Sequence, residues 1–288
     1  IYKLININDS QNIAVVPIAK NVGCLSHYSI QEIGGDLVFL SPDGVRTVAG
    51  TARIGDVELG SVSRQIQAIT SLIARDIDDY NITSCVLRRR SQYRLYYSTA
   101  AEQPTDSKGI IGTLTRNGFE WSETKGIQSS AIVSDFNSSG IEKIYHGDNS
   151  GYIYNHDTGG AFSANGANFN IDAKYTTPFL DFGDAGTRKT MKYIKLSVSP
   201  EGELSPILRT QFDFTDSDVA QPEDIVLAGI PVPPIFGNAI FEGTNDPMAR
   251  EVIVGSGHTV SFQIRTEDQS PPYSINGLYI NYVPSGRR

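Results

Sequence analysis

Cysteine is nearly missing from this chain. Its 288 residues hold two, Cys24 and Cys85, too few for a disulfide framework or a zinc cage. Both read as buried thiols, with one bridge between them as the alternative. Histidine is scarce too: His27, His146, His156 and His258 are scattered along the sequence. Long apolar runs are lacking. No stretch approaches the roughly 18 consecutive apolar residues of a membrane-spanning helix, so no membrane span is expected. There is no excess of positive charge, since 24 Lys and Arg face 32 Asp and Glu for a net charge of −8. That balance gives no global basic signature for nucleic acid. Nucleophile, metalloprotease and P-loop signatures (G-x-S-x-G, H-E-x-x-H, G-x-x-x-x-G-K-[ST]) are all missing. The opening "IYKLININDS" has no Met, no basic region and no apolar core of a signal peptide. It reads as a strand entered in mid-fold, and suggests a fragment of a longer polypeptide or a cleavage product.

What the chain has is aromatic residues and turns. A hydrophobic content of 39%, with 14 Tyr and 12 Phe, sets it apart from disordered sequences. Short apolar runs alternate with polar residues, and turn residues punctuate them. "GGDLVFLSPDGVRTVAG" (34–50) reads as a hairpin. Leu37 and Phe39 alternate before Ser-Pro-Asp-Gly, and Val45 and Val48 follow. "QYRLYYST" (92–99) puts Tyr93, Leu95 and Tyr97 on one face. "GIIGTLTRNGFEWSET" (109–124) is a hairpin around Asn117-Gly118. "KIYHGDNSGYIYNHD" (143–157) is another, with Asp148 to Gly151 as its turn and Asp157 to Gly159 as the next. The recurrence is that of β-propeller blades, and a β-sandwich with hairpins in series is the alternative.

One segment breaks the pattern. In "GSVSRQIQAITSLIARDIDDYN" (60–81), Ile66, Ile69, Ile73 and Ile77 recur at helical spacing. Ser61 or Ser63 is an expected N-cap, and Asp76, Asp78 and Asp79 sit where carboxylates suit a helix least. The spacing predicts a helical excursion over about 61–77 whose short helix frays or breaks before Asp76, its apolar stripe packed on the body. After about Asp172 the character changes. Ile194, Leu196 and Val198 alternate on one long strand, Pro222, Pro231, Pro233 and Pro234 mark an irregular connector, and "SINGLYINYVPSGRR" reads as a last strand. The fold class is therefore all-β. Residues 1–175 form a β-propeller portion, an incomplete propeller in this chain, and residues 176–288 form an antiparallel β-sandwich or barrel domain.

Candidate sites are few. In "SDFNSSGIEKI" (134–144), Asp135 and Asn137 stand where calcium-loading propeller repeats carry ligands, but Ser139 takes the place of a third carboxylate. They form at most a weak metal site. His146 and His156 can meet across their hairpin, and two histidines alone do not fix zinc. They read as a surface cross-strand pair. Arg88, Arg89, Arg90 and Arg94, interleaved with Tyr93, Tyr96 and Tyr97, resemble a nucleic-acid strip. Alternation in a strand would split these arginines between two faces, so a solvated or subunit-facing edge is the expectation, with DNA or partner contact second. No catalytic residue and no cofactor is expected.

Three runs carry a family resemblance: "GCLSHYSIQEIGGDLVFLSPDGVRTVAGTARIGDVELGSVSRQI", "SSGIEKIYHGDNSGYIYNHDTG" and "FNIDAKYTTPFLDFGDAGTRKTMKYIKL". Together with the closing "NGLYINYVPSGRR" they resemble the tail tubular protein B, or nozzle, family of short-tailed bacteriophages, from Gly23 onward. Such proteins are much longer, so the chain resembles a C-terminal portion. The resemblance implies a virion tail protein without enzymatic activity. It implies a homo-hexameric ring below the portal and the adaptor protein, in contact with tail fibre or other tail proteins. That ring continues the channel for double-stranded DNA, retains the packaged genome and opens for ejection. Six copies would carry about six times −8 charges, and an acidic lumen would repel the DNA backbone. The alternative is a phage-borne propeller or sandwich protein that binds or depolymerises glycans.

Overall fold

The computed structural model describes residues 1–18, 20, 22–49, 61–159, 162–164, 167–201, 204–227, 230, 248–269 and 272–287. Its contacts divide the chain into two units, Ile1–Thr158 with Ser163–Ala167, and Gly159–Phe162 with Asn168–Arg288. Both are built mostly of antiparallel strands, and among the described residues none of the sheets closes on itself.

The first unit begins with a two-stranded ladder, β1 (Tyr2–Ile5) with β2 (Ala14–Pro17). Three further sheets follow in chain order. The first joins β3 (Gln31–Ile33), β4 (Asp36–Ser41) and β5 (Gly44–Thr47). The helix α1 (Gln67–Arg75) comes next. The second sheet joins β6 (Asn81–Leu87), β7 (Gln92–Ser98), β8 (Lys108–Thr115) and β9 (Gly118–Lys125) as a meander. The third joins β10 (Ala131–Phe136), β11 (Glu142–Gly147) and β12 (Ile153–Asn155). A two-stranded ladder of β13 (Phe162–Ala164) and β14 (Ala167–Phe169) marks the division between units.

The second of these sheets is covered on both faces. Tyr93, Leu95 and Tyr97 of β7 and Ile82 and Val86 of β6 pack with Val38, Leu40 and Val45 of the first sheet and with Ile73 of α1. On the opposite face, Cys85 and Leu87 pack with Ile144 of β11. Tyr93 through Ser98 are therefore all buried. A strand covered on both sides reads as a continuous buried run rather than an alternating one.

The first hairpin forms where expected, with Pro42 and Asp43 in its turn. Its faces are set differently. Val38 and Leu40 are fully buried, whereas Leu37 is 45% exposed. Phe39 is buried as well. A shift of one residue exchanges the faces of a strand, and burial of consecutive residues conceals the shift in the sequence. The helix carries Ile69 and Ile73 onto the core and ends at Arg75, while the flanking 3-10 turns over Arg64–Ile66 and Ile77–Asp79 bring Ile66 and Ile77 to the same core. The serines do not cap it. Ser63 Oγ accepts the Val45 N–H at 2.9 Å and so ties the helix approach to β5. Cys24 also departs from expectation: both cysteines are free, Cys85 is buried and Cys24 is exposed.

In the second unit, β15 (Ile171–Thr176), β21 (Val260–Asp268), β17 (Ile207–Phe212) and β18 (Ile225–Val226) form one sheet, in that order. The pairing of β15 with β21 places residues 171–176 in this unit. A second sheet is centred on the long β16 (Thr187–Pro200), which pairs with β19 (Met248–Val252), β20 (Ser256–Gly257) and β22 (Tyr273–Arg287). Ile194, Leu196 and Val198 of β16 meet Leu208, Phe212, Phe262 and Ile264 in one core. Met191 joins them, although it lies three residues before Ile194. A register shift between Met191 and Tyr193 restores the face. Of the connector prolines, Pro222 is half-buried, and Pro231, Pro233 and Pro234 lie outside the described residues.

Gly44 provides a test of how tightly the helix approach is fixed. Its φ is 125°, and a Cβ there would stand 2.4 Å from Ser63 Oγ and 2.8 Å from Ser61 Oγ. Gly44→Ala is expected to destabilise this unit by roughly 2 kcal/mol, combining backbone strain with the loss of the Ser63 bond. The chain has one tryptophan, Trp121, on β9, so denaturant unfolding followed by its fluorescence reads this unit.

Candidate functional site

Arg88, Arg89 and Arg90 are not strand residues. They form a 3-10 turn between β6 and β7, and all three are exposed. The turn ends at Ser91 in the left-handed region, with φ 51°. Its leading N–H groups would be unsatisfied. Glu142, at the start of β11, supplies the acceptors: its carboxylate takes the Arg88 N–H and the Arg89 N–H, each at 2.9 Å. Glu142 itself is buried.

Arg94 separates from the other three. It lies on β7, buried, on the face that meets β10 to β12, as the Cα partner of Cys85. Asp157, just beyond β12, neutralises it with two hydrogen bonds of 3.2 and 2.8 Å. Arg90 reaches the same carboxylate from solvent at 3.4 Å. Burial works against both charges. The Asp157 bonds nevertheless hold the Arg94 pKa above its ordinary value, and Arg94 holds the Asp157 pKa below that of an ordinary carboxylate. Asp157 has φ 55°, a conformation that Asp tolerates better than most residues. It reads in sequence as turn chemistry, and in the structure it is the counter-ion of Arg94.

The two histidines lie beside this pair. His156 Nε2 and His146 Nδ1 are 2.6 Å apart, and the rings stand at 90°. The pair is buried, not the surface pair expected. Tyr154 stacks on His146, and Tyr96 meets His156 edge to face. Burial pushes His146 down to about 4. Burial, then His146 and Arg94, push His156 down to about 3. Both rings are therefore neutral at pH 7. His156 Nδ1 has no hydrogen-bond partner among the described residues.

These groups border a cleft of about 400 Å³. Arg89, Arg90 and Lys143 bring positive charge to it, and Glu142, Asp157 and His156 complete its polar lining. Leu87, Ile141 and Ile144 are its apolar wall. The arginines stand out in the sequence, whereas Lys143 and Glu142 do not. More than 50 residues separate Glu142 from its Arg88 and Arg89 contacts, and no local pattern announces such a pairing.

The aromatic residues near the arginines are core. Tyr93, Tyr96 and Tyr97 are at most 3% exposed, and Tyr93 OH donates to Ser29 O at 2.8 Å. They offer no stacking platform for bases. Asp135 and Asn137 form turn bonds instead of a cage. Asn137 Oδ1 accepts Ser139 N–H and Ile141 N–H, and Asp135 Oδ1 accepts Phe136 N–H. Asp148 likewise takes Ser150 N–H, Tyr152 N–H and the Tyr154 hydroxyl. Among the described residues, no three His, Cys, Asp or Glu side chains gather to hold a metal.

No protein-family model matches the chain, and no curated protein matches it. Among solved structures it is similar to a Bacillus thuringiensis Cry1Da tryptic core variant, at 10% identity and a TM-score of 0.23. The match covers 96% of this chain and 46% of that one, so the chain spans under half the length of that protein. A likeness at this TM-score carries no argument about fold or function.

The neutral histidine pair makes this unit acid-sensitive. Both folded-state pKa values lie below the ordinary 6.5, so the unfolded chain takes up protons first as pH falls. Their contribution to stability is complete above pH 6.5 and declines as pH falls from about 6.5 to about 4 for His146 and about 3 for His156. At pH 5 the loss is expected to be on the order of 2 kcal/mol per histidine, read from Trp121 fluorescence in denaturant. His156→Gln should flatten that pH dependence, and a profile unchanged between pH 7 and 5 would contradict the assignment.

Proposed function

We propose that this chain is a structural subunit of a short-tailed phage tail nozzle, with propeller blades in its first unit and a β-sandwich in its second. The observation that carries the reading is the series of sheets around β7. Sheets packed face to face in chain order are what successive blades require. The last of them, β10 to β12, leaves Val133, Tyr145 and Ile153 exposed on its outer face, Ile153 at 79%. A blade inside a propeller covers such a face with the next blade.

The residues that carry the family resemblance support the same reading, because they do structural work. "GDNSGYIY" is an Asp148-centred turn and the strand after it. In "DFGDAGTRKT", Asp184 Oδ1 accepts Gly186 N–H and Asp184 Oδ2 accepts the Thr187 hydroxyl, at the entry to β16. Lys189 is buried there and donates to the carbonyls of Asp184 and His258. "NGLYINYVPSGR" is the long β22 against β16. In the proposed role, six copies surround the DNA channel of the virion tail. They meet the adaptor above and fibre or other tail proteins at the side, retain the packaged genome and open to release it.

Electron microscopy with a mass measurement tests this. The purified chain is expected to assemble into rings of six at micromolar concentration. A stable monomer that cleaves polysaccharide would contradict the proposal and favour a glycan-depolymerising protein.

A further inference from the structure

The cleft beside the Arg88–Arg90 turn carries more positive charge than its own carboxylates use. Glu142 is engaged by two backbone N–H groups, and Asp157 by Arg94 and Arg90. The side chains of Arg89 and Lys143 have no carboxylate partner among the described residues. The cleft lining sets three cations, Arg89, Arg90 and Lys143, against two carboxylates, Glu142 and Asp157, and two of the cations, Arg89 and Lys143, have no carboxylate partner there. This surplus lies in a chain whose net charge is −8. The cations are also held in place. Glu142 fixes the turn that bears Arg89 and Arg90, and Lys143 follows Glu142 on β11.

Three features narrow the ligand. Two cations without a carboxylate partner suit a dianion, and guanidinium groups pair well with phosphate oxygens. A cleft of about 400 Å³ is far larger than a bare phosphate and falls in the range of small-molecule sites. Its cations converge on one cleft rather than forming an extended strip, and Arg94 is buried, which disfavours duplex DNA. We propose that the cleft binds a phosphorylated sugar, with Arg89, Arg90 and Lys143 on the phosphate oxygens and the sugar body against the Leu87, Ile141 and Ile144 wall. This assignment is independent of ring formation.

Calorimetric titration of the full chain with glucose 6-phosphate, inorganic phosphate, glucose and a DNA duplex tests the proposal. Saturable binding of glucose 6-phosphate is expected, with a Kd of about 1 mM or below. Binding of inorganic phosphate should be weaker, and that of glucose undetected. Arg89→Gln and Lys143→Met should each weaken glucose 6-phosphate binding about tenfold. Arg116→Gln, in the exposed turn between β8 and β9, should leave it unchanged. Circular dichroism should show that the variants fold, as expected for changes outside the core. Four results would overturn the proposal: no saturable binding by about 10 mM, inorganic phosphate binding as tightly as glucose 6-phosphate, indifference to Arg89 and Lys143, or dependence on these residues for duplex DNA alone.

Discussion

A guanidinium on a strand covered from both sides has to be neutralised where it lies. Arg94 is such a group, and Asp157 meets it. Leaving one member of a buried ion pair alone is among the costlier changes a fold can suffer, about 3–5 kcal/mol for a fully buried pair. Asp157 is 37% exposed, so solvent screens part of that. The requirement still binds distant segments together. The chain must carry Asp157 past the end of β12 and back to β7, and this sets the third sheet against the second. Around that contact lie the Glu142 bonds to the arginine turn, the histidine pair, and the Ser134 hydroxyl donating to Val86 O at 2.5 Å.

The same constraint explains the character of the cleft. Its two carboxylates are spent on structure, Glu142 on the turn and Asp157 on Arg94. What remains at the surface is positive. The charges that shape the fold therefore leave a local sign opposite to that of the whole chain. Neutral histidines suit this setting, because a protonated imidazole beside Arg94 would meet like charge.

Much of the fold was legible in the sequence, and the failures have physical causes. Hairpins were readable at Asn117-Gly118 and Asp148–Gly151 because turn chemistry is local. The isoleucine stripe of α1 and the Ile194, Leu196 and Val198 face were readable because one face of each is buried. Alternation failed for Leu37, where consecutive residues of β4 are buried. Capping failed for Ser63, whose hydroxyl serves β5 instead. The site was the least legible part. Arg88 to Arg90 looked like strand residues because nothing local reveals that a carboxylate 53 or 54 residues away caps their turn. Arg94 looked exposed because its partner lies 63 residues on.

Hydrogen–deuterium exchange on the Asp157→Asn chain most directly tests whether this ion pair fastens the third sheet to the second. Asn tolerates the same backbone conformation, so the substitution removes the charge without adding backbone strain. The account predicts faster exchange in peptides covering 88–98 and 131–156, with peptides covering 207–212 and 260–268 unchanged. Unaltered protection across 131–156 would contradict it.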